Sequence, residues 1–167
     1  MGFRELRLTP APILNPINSP IKLNNMNPNK LVSEIMTREL ITVKVDTVLA
    51  EVRNIFEKNK FHHIPVLFDG DRLIGIISKQ DLTKAVSVLG EKAYATLSAK
   101  DVMTEYPMCV DPDDTIGLVA DVFLTNLFHA LPVMDDGDLV GIVTAHDLLK
   151  FAFKSPVETD YTSTYTE

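Results

Sequence analysis

Apolar positions change period several times along this chain, and each change predicts an element. Val48, Leu49, Val52, Ile55 and Phe56 recur at helical spacing, with Glu51, Arg53, Glu57 and Lys60 on the other face. That is the pattern of an amphipathic helix. Asp46 and Thr47 supply the residue types that open a helix, and the start is read there. Two continuous apolar runs follow, Ile64–Phe68 and Leu73–Ser78, separated by Asp69-Gly70-Asp71. Short apolar runs around an Asp-Gly pair predict two strands in a hairpin. Ser78 then opens another helix.

The whole series recurs. Asp113 and Asp114 open a second central helix, Leu131–Met134 and Leu139–Val143 flank Asp136-Gly137, and Thr144 opens a last helix. The recurrence holds residue by residue at an offset of 67: Ile35-Met36-Thr37 returns as Val102-Met103-Thr104, Val43 as Val110, Val52 as Val119, Phe56 as Phe123. Phe61-His62 returns as Phe128-His129 and Pro65-Val66 as Pro132-Val133. After a one-residue deletion near Arg72, Gly75-Ile76 matches Gly141-Ile142 and Asp81-Leu82 matches Asp147-Leu148. Each unit reads helix, short strand, helix, strand, turn, strand, helix, and residues 88–97 connect the two. A unit of this size is marginal on its own, so two units sharing a core about a pseudo-twofold axis are expected, with clefts between them.

Composition narrows the picture. Residues 1–28 hold five of the ten prolines and no regular period, which predicts an extended or disordered arm; Met26 is an alternative start, leaving residues 1–25 outside the native protein. Residues 29–90 and 91–153 are the two repeats, and 154–167 form a polar tail expected to be disordered. The N-terminus lacks a signal-peptide pattern, Leu6 stands where a myristoylation site needs Ser or Thr, and the apolar runs are too short to span a bilayer. A cytoplasmic protein without a membrane partner is expected. A net charge of −7 argues against polymeric nucleic acid as a partner. The single cysteine, Cys109, precludes an internal disulfide and a thiolate metal cluster; it is placed in a strand as a small buried hydrophobe.

The two central helices differ on one face. Where the first carries Glu51, Arg53, Glu57 and Lys60, the second carries Leu118, Ala120, Leu124 and Leu127. Gly117, Ala120, Leu124 and Leu127 form a row at helical spacing. A helix apolar nearly all round needs a second partner. That partner is either the rest of the monomer or a second copy; a homodimer is expected, with Gly117 and Ala120 letting backbones approach.

The sharpest local signal is Gly75-Ile-Ile-Ser78-Lys79-Gln-Asp81 and its twin Gly141-Ile-Val-Thr144-Ala-His-Asp147. Ser/Thr-x-x-Asp can be a plain capping box. It can also serve a ligand, since a carboxylate there takes ribose hydroxyls and a helix N-terminus suits phosphate. Together, the two ordered sets of Met-Thr, His-x-h-Pro-Val, Asp-Gly and Gly-h-h-Ser/Thr-x-x-Asp (h, apolar) resemble a tandem pair of cystathionine-β-synthase (CBS) domains, a Bateman module, over about residues 29–153.

That resemblance implies an α/β (α+β) fold of two pseudo-twofold-related β-α-β-β-α repeats packed through their sheets. It implies adenosyl ligands in the clefts: AMP, ADP or ATP, with S-adenosylmethionine, NAD or a cyclic dinucleotide also possible, and no required cofactor. By the same resemblance Asp81 and Asp147 hold ribose while Ser78 and Thr144 contact phosphate. His or Arg two and three residues before the motif proline face phosphate in similar proteins, which points to His62, His63 and His129. Neighbours on a strand face opposite ways, so only one of His62 and His63 is expected in a site; the other reading is a surface histidine. Lys79 is a further phosphate candidate, or a solvated lysine. Ala130 departs from the cationic pattern, so the second repeat is expected to be the poorer at phosphate and the clefts unequal.

The sequence holds no nucleophile–base pair and no metal-ligand cluster, so no enzyme is expected. A regulatory nucleotide-sensing module acting on a separate protein is the expected function. The alternative is a ligand-free interaction or dimerisation module.

Overall fold

The computed structural model describes residues 27–69 and 72–153. The expectations for the arm before residue 27, for the tail from 154 and for Gly70 and Asp71 of the first hairpin turn lie outside the described residues. The fold is mixed α/β. A 3-10 turn, Val32–Glu34, leads to β1 (Val43–Lys44), α1 (Leu49–Lys58), β2 (His63–Phe68), β3 (Arg72–Ser78) and α2 (Lys79–Leu89). A short α3 (Ala93–Thr96) and a 3-10 turn, Ala99–Asp101, connect to β4 (Thr104–Glu105). Then come α4 (Ile116–Leu124), β5 (Ala130–Asp135), β6 (Asp138–Thr144) and α5 (Ala145–Phe153).

The hairpins form where the paired apolar runs predict them. β2 pairs antiparallel with β3, and β5 with β6, each with a register shift at the same repeat position, Val66/Leu67 and Val133/Met134. β1 pairs parallel with β2 through Val43 and Val66, and Val110 bridges Val133 in the same way. Pro65 has no N–H to donate, and it precedes the stretch of β2 that pairs with β1, so the missing donor disturbs no bond of that parallel ladder.

The central helices start later than their acidic residues. Thr47 closes a turn back to Lys44, accepting from its N–H through Oγ1 at 3.0 Å, and Asp114 does the same for Asp111 with its carboxylate at 2.8 Å. α1 begins at Leu49 behind Val48, which offers no side-chain cap; α4 is capped by Thr115, which accepts from Leu118 N–H at 3.2 Å. Thr47 and Asp114 thus close a turn rather than open a helix, and both helices start beyond Asp46 and Asp113. Cys109 also departs from expectation: it lies outside the strands, half-buried, and its thiol donates to the Pro107 carbonyl at 3.3 Å.

The halves exchange their lead-in segments. Ala99 N–H donates to Thr47 O at 2.8 Å, and its counterpart Val32 N–H donates to Asp114 O at 2.8 Å. Leu49 N–H donates to Leu97 O, and Ile116 N–H to Lys30 O. β4 pairs with β3 of the first half, while Thr37 bridges Ile142 of the second. These matched bonds are the pseudo-twofold symmetry. Consequently Ala99, Val102 and Met103 join the core around Val52, Phe56 and Ile77, and Val32, Ile35 and Met36 join the core around Val119, Leu131 and Val143. Val32 is fully buried, which is worth roughly 1.5–3 kcal/mol for a valine. Each core therefore draws on both sequence repeats, and β3 meets β6 where the halves join.

Pro28, assigned to the arm, instead packs on α4: its carbonyl accepts from Gly117 N–H at 2.9 Å, and a Cβ at Gly117 would stand 3.1 Å from Pro28 Cβ. The backbone approach that Gly117 permits is to this chain's own lead-in, not to a second copy. Leu124 and Leu127, each 76% exposed, have no such cover among the described residues.

Candidate functional site

The β6–α5 junction carries the second motif. Thr144 N–H and hydroxyl both donate to Asp147 Oδ2, at 2.9 and 2.6 Å, and Asp147 N–H donates back to Thr144 Oγ1 at 3.3 Å. Ser78 and Asp81 repeat this at the β3–α2 junction with distances of 2.9, 2.6 and 3.3 Å. Both are capping boxes. So is Ser98-x-x-Asp101, at 2.8 and 2.7 Å, which serves only a 3-10 turn. Capping geometry alone does not mark a site; placement does.

Placement separates the two motifs. Thr144 and Asp147 line a cavity of about 620 Å³, a volume suited to a nucleotide-sized ligand. All three bonds of the box use Asp147 Oδ2 or the Thr144 oxygen, and among the described residues nothing reaches Asp147 Oδ1. Ser78 and Asp81 lie outside this cavity, and Asp81 Oδ1 is 3.6 Å from Lys84 Nζ. Lys79 also lies outside it. Its ammonium reaches the Asn59 carbonyl at 3.4 Å and sits 5.7 Å above the Phe56 ring, on the α1 side. The N-terminal turn of a helix points successive side chains around its axis, so Lys79 departs from Ser78 despite adjacency.

The histidines converge. His62, His63 and His129 all line the cavity that holds Thr144 and Asp147. His62 and His63 share it because β2 begins only at His63, so the alternation rule does not reach His62. Burial, then positive charge on His129 and His62, holds the His63 imidazole below its ordinary pKa, while Asp81 pulls it upward. The motif carboxylate of one repeat thus meets the histidines of the other. Among the described residues no group of three or more His, Cys, Asp or Glu is placed to hold a metal ion.

Several lining residues escaped the sequence reading. Thr37, Glu39, Leu40 and Ile41 come from the exchanged lead-in, Lys60 from the segment between α1 and β2, and His146 and Lys150 from α5. The recurring Met-Thr pair was a signal for the first group, although its exchange between halves was not. Lys150 stands one helical turn from His146, inside and beyond the motif, so it was accessible to spacing.

The comparisons with known proteins agree with this architecture. The CBS domain model matches residues 32–88 and again 99–154. The chain belongs to the CBS domain family. An inosine-5′-monophosphate dehydrogenase of Methanocaldococcus jannaschii is 32% identical over 72% of this chain, but the match spans only 23% of that enzyme. Among solved structures, the CBS domain pair of protein MJ0100, in complex with 5′-methylthioadenosine and S-adenosyl-L-methionine, is similar at TM-score 0.66 and 26% identity, covering 74% of this chain and 96% of that one. CBSX2 in complex with AMP is similar at TM-score 0.64 and 29% identity, covering 73% and 95%. The CBS pair of this chain therefore matches nearly the full length of both ligand-bound pairs. No helix among the described residues is long and apolar enough to cross a membrane.

Proposed function

We propose that this CBS pair is a regulatory module that binds a phosphorylated adenosyl ligand, of the AMP, ADP or ATP kind, in the cavity between its halves. The observation that carries the reading is the convergence of Asp147 and Thr144 with His62, His63 and His129 in one cavity. The free Oδ1 of Asp147 accepts ribose hydroxyls, Ile41 and Ile142 supply apolar walls for a base, and the imidazoles and Lys60 face phosphate. Ser78 and Asp81, with Lys84 already on the carboxylate, serve a weaker second position. Complexes of similar CBS pairs with AMP and with S-adenosyl-L-methionine support the ligand class. The module carries no reaction of its own and acts by changing its affinity for a partner protein, because ligand binding favours one arrangement of the halves.

Calorimetric titration with AMP, ADP, ATP, NAD, S-adenosylmethionine and cyclic dinucleotides tests this. Binding of at least one phosphorylated adenosyl compound is expected. Silence across the whole panel refutes it and favours a ligand-free interaction module. One observation speaks for self-association alongside ligand binding: the uncovered Leu124 and Leu127 on α4 fit a homodimer contact.

A further inference from the structure

The chain has four histidines, and all four line the same cavity. They arrive from three segments. His62 and His63 enter β2, His129 precedes β5, and His146 stands in the first turn of α5. The other acidic and basic side chains lining the cavity are Lys60 and Lys150 against Glu39 and Asp147. Two ammonium groups oppose two carboxylates, so the fixed charges cancel. The net charge of the cavity is then whatever the imidazoles carry, and imidazoles change charge near neutral pH.

We infer that phosphate binding in this cavity is proton-linked: a dianionic phosphate group draws protons onto the histidine cluster as it binds, so affinity falls as pH rises through neutrality. This rests on the phosphorylated-adenosyl reading above. The direction follows from the surroundings of His63. Empty, the imidazole is half-buried beside His62 and His129, and these influences favour its neutral form; Asp81 opposes them from the start of α2, and Lys79 is turned toward Asn59. A bound dianion reverses the balance and raises the imidazole pKa. Affinity is therefore greatest below the ligand-free pKa, is lost as pH climbs through the ligand-bound value, and is flat beyond it. The phosphate's own second ionisation, near about pH 6, acts in the opposite sense and sets the lower edge of a clean test.

The experiment is calorimetry on the full chain with AMP and with adenosine, in buffers of different ionisation enthalpy, from about pH 6.5 to about pH 8. With AMP, the observed enthalpy should depend on the buffer, reporting up to about one proton taken up, and affinity should fall by up to about tenfold per pH unit. Adenosine, lacking the dianion, should show neither effect. His63→Gln should cut the uptake with AMP by about half or more, with His129→Gln as the second variant and adenosine binding as the check that the cavity is intact. AMP binding with buffer-independent enthalpy, or equal uptake with adenosine, overturns the proton linkage alone. Adenosine binding without AMP binding overturns it as well; failure of both ligands to bind overturns it too, and the adenosyl reading falls with it when ADP, ATP and the rest of the panel are also silent.

Discussion

Thr37 and Ile142 exchange both backbone hydrogen bonds, N–H to carbonyl at 2.9 and 3.0 Å, although one precedes the first repeat's central helix and the other lies in the second repeat's hairpin. Both residues also line the candidate cavity. Neither repeat can build that cavity wall alone. The exchange brings Met36 beneath Gly141, where a Cβ would stand 2.6 Å from the Met36 sulfur and 3.2 Å from the Thr37 carbonyl. Gly75 has the same relation to Met103. The glycine that opens each motif is thus explained by close approach of the other half's Met-Thr pair, and its absent side chain leaves room for that methionine.

Gly141→Val should destabilise the fold by about 1–3 kcal/mol, because the thioether can shift but the Thr37 carbonyl cannot. Urea denaturation followed by circular dichroism measures it. A midpoint equal to the parent's argues against the glycine–methionine contact as a constraint.

Asp147→Asn should weaken adenosyl binding by about 1–3 kcal/mol, since a charge-assisted acceptor becomes neutral while the side chain keeps its shape. Asp81→Asn, outside the cavity, should change the affinity of the tighter site less than about twofold. Calorimetry on both variants checks the pair. Equal losses in the two would dissolve the proposed inequality of the positions.

Leu124→Glu should yield a slower-sedimenting species if α4 is the homodimer contact, since the charge would be buried against its own symmetry mate. Sedimentation velocity reads this directly, and an unchanged profile removes α4 from any such contact.

Burial raises the Cys109 thiol pKa above its ordinary value. Less thiolate is then present at a given pH, so alkylation by iodoacetamide near about pH 8 should run slower than for a cysteine in a short peptide. The two rates should converge in denaturant; a parent protein that reacts as fast when folded would contradict the burial.

The elements themselves were legible in the sequence. Hairpin strands, the α2 cap at Ser78 and the pairing of the repeats follow from local periodicity and from Asp-Gly and Ser-x-x-Asp chemistry, which act over a few residues. Helix starts were harder. Asp46 and Thr47 look like openers, but α1 starts beyond both, and Thr47's hydroxyl closes a turn instead. The resemblance supplied the candidate site residues, yet their partition was not visible. Lys79 and His63 are both adjacent to motif residues; one leaves for Asn59 and the other enters the cavity.

The sequence by itself determined that there are two similar units, which residues recur in each, and hence the family and the general shape of the site. It did so because those features depend on short-range spacing that a single chain displays openly. Only the tertiary structure decided which motif meets which histidines. Ser78 and Asp81 share a repeat with His62 and His63, but the halves trade lead-in segments and face each other about a twofold axis. That packing gives the cavity the carboxylate of one repeat and the imidazoles of both, a consequence of long-range contacts that no local pattern encodes.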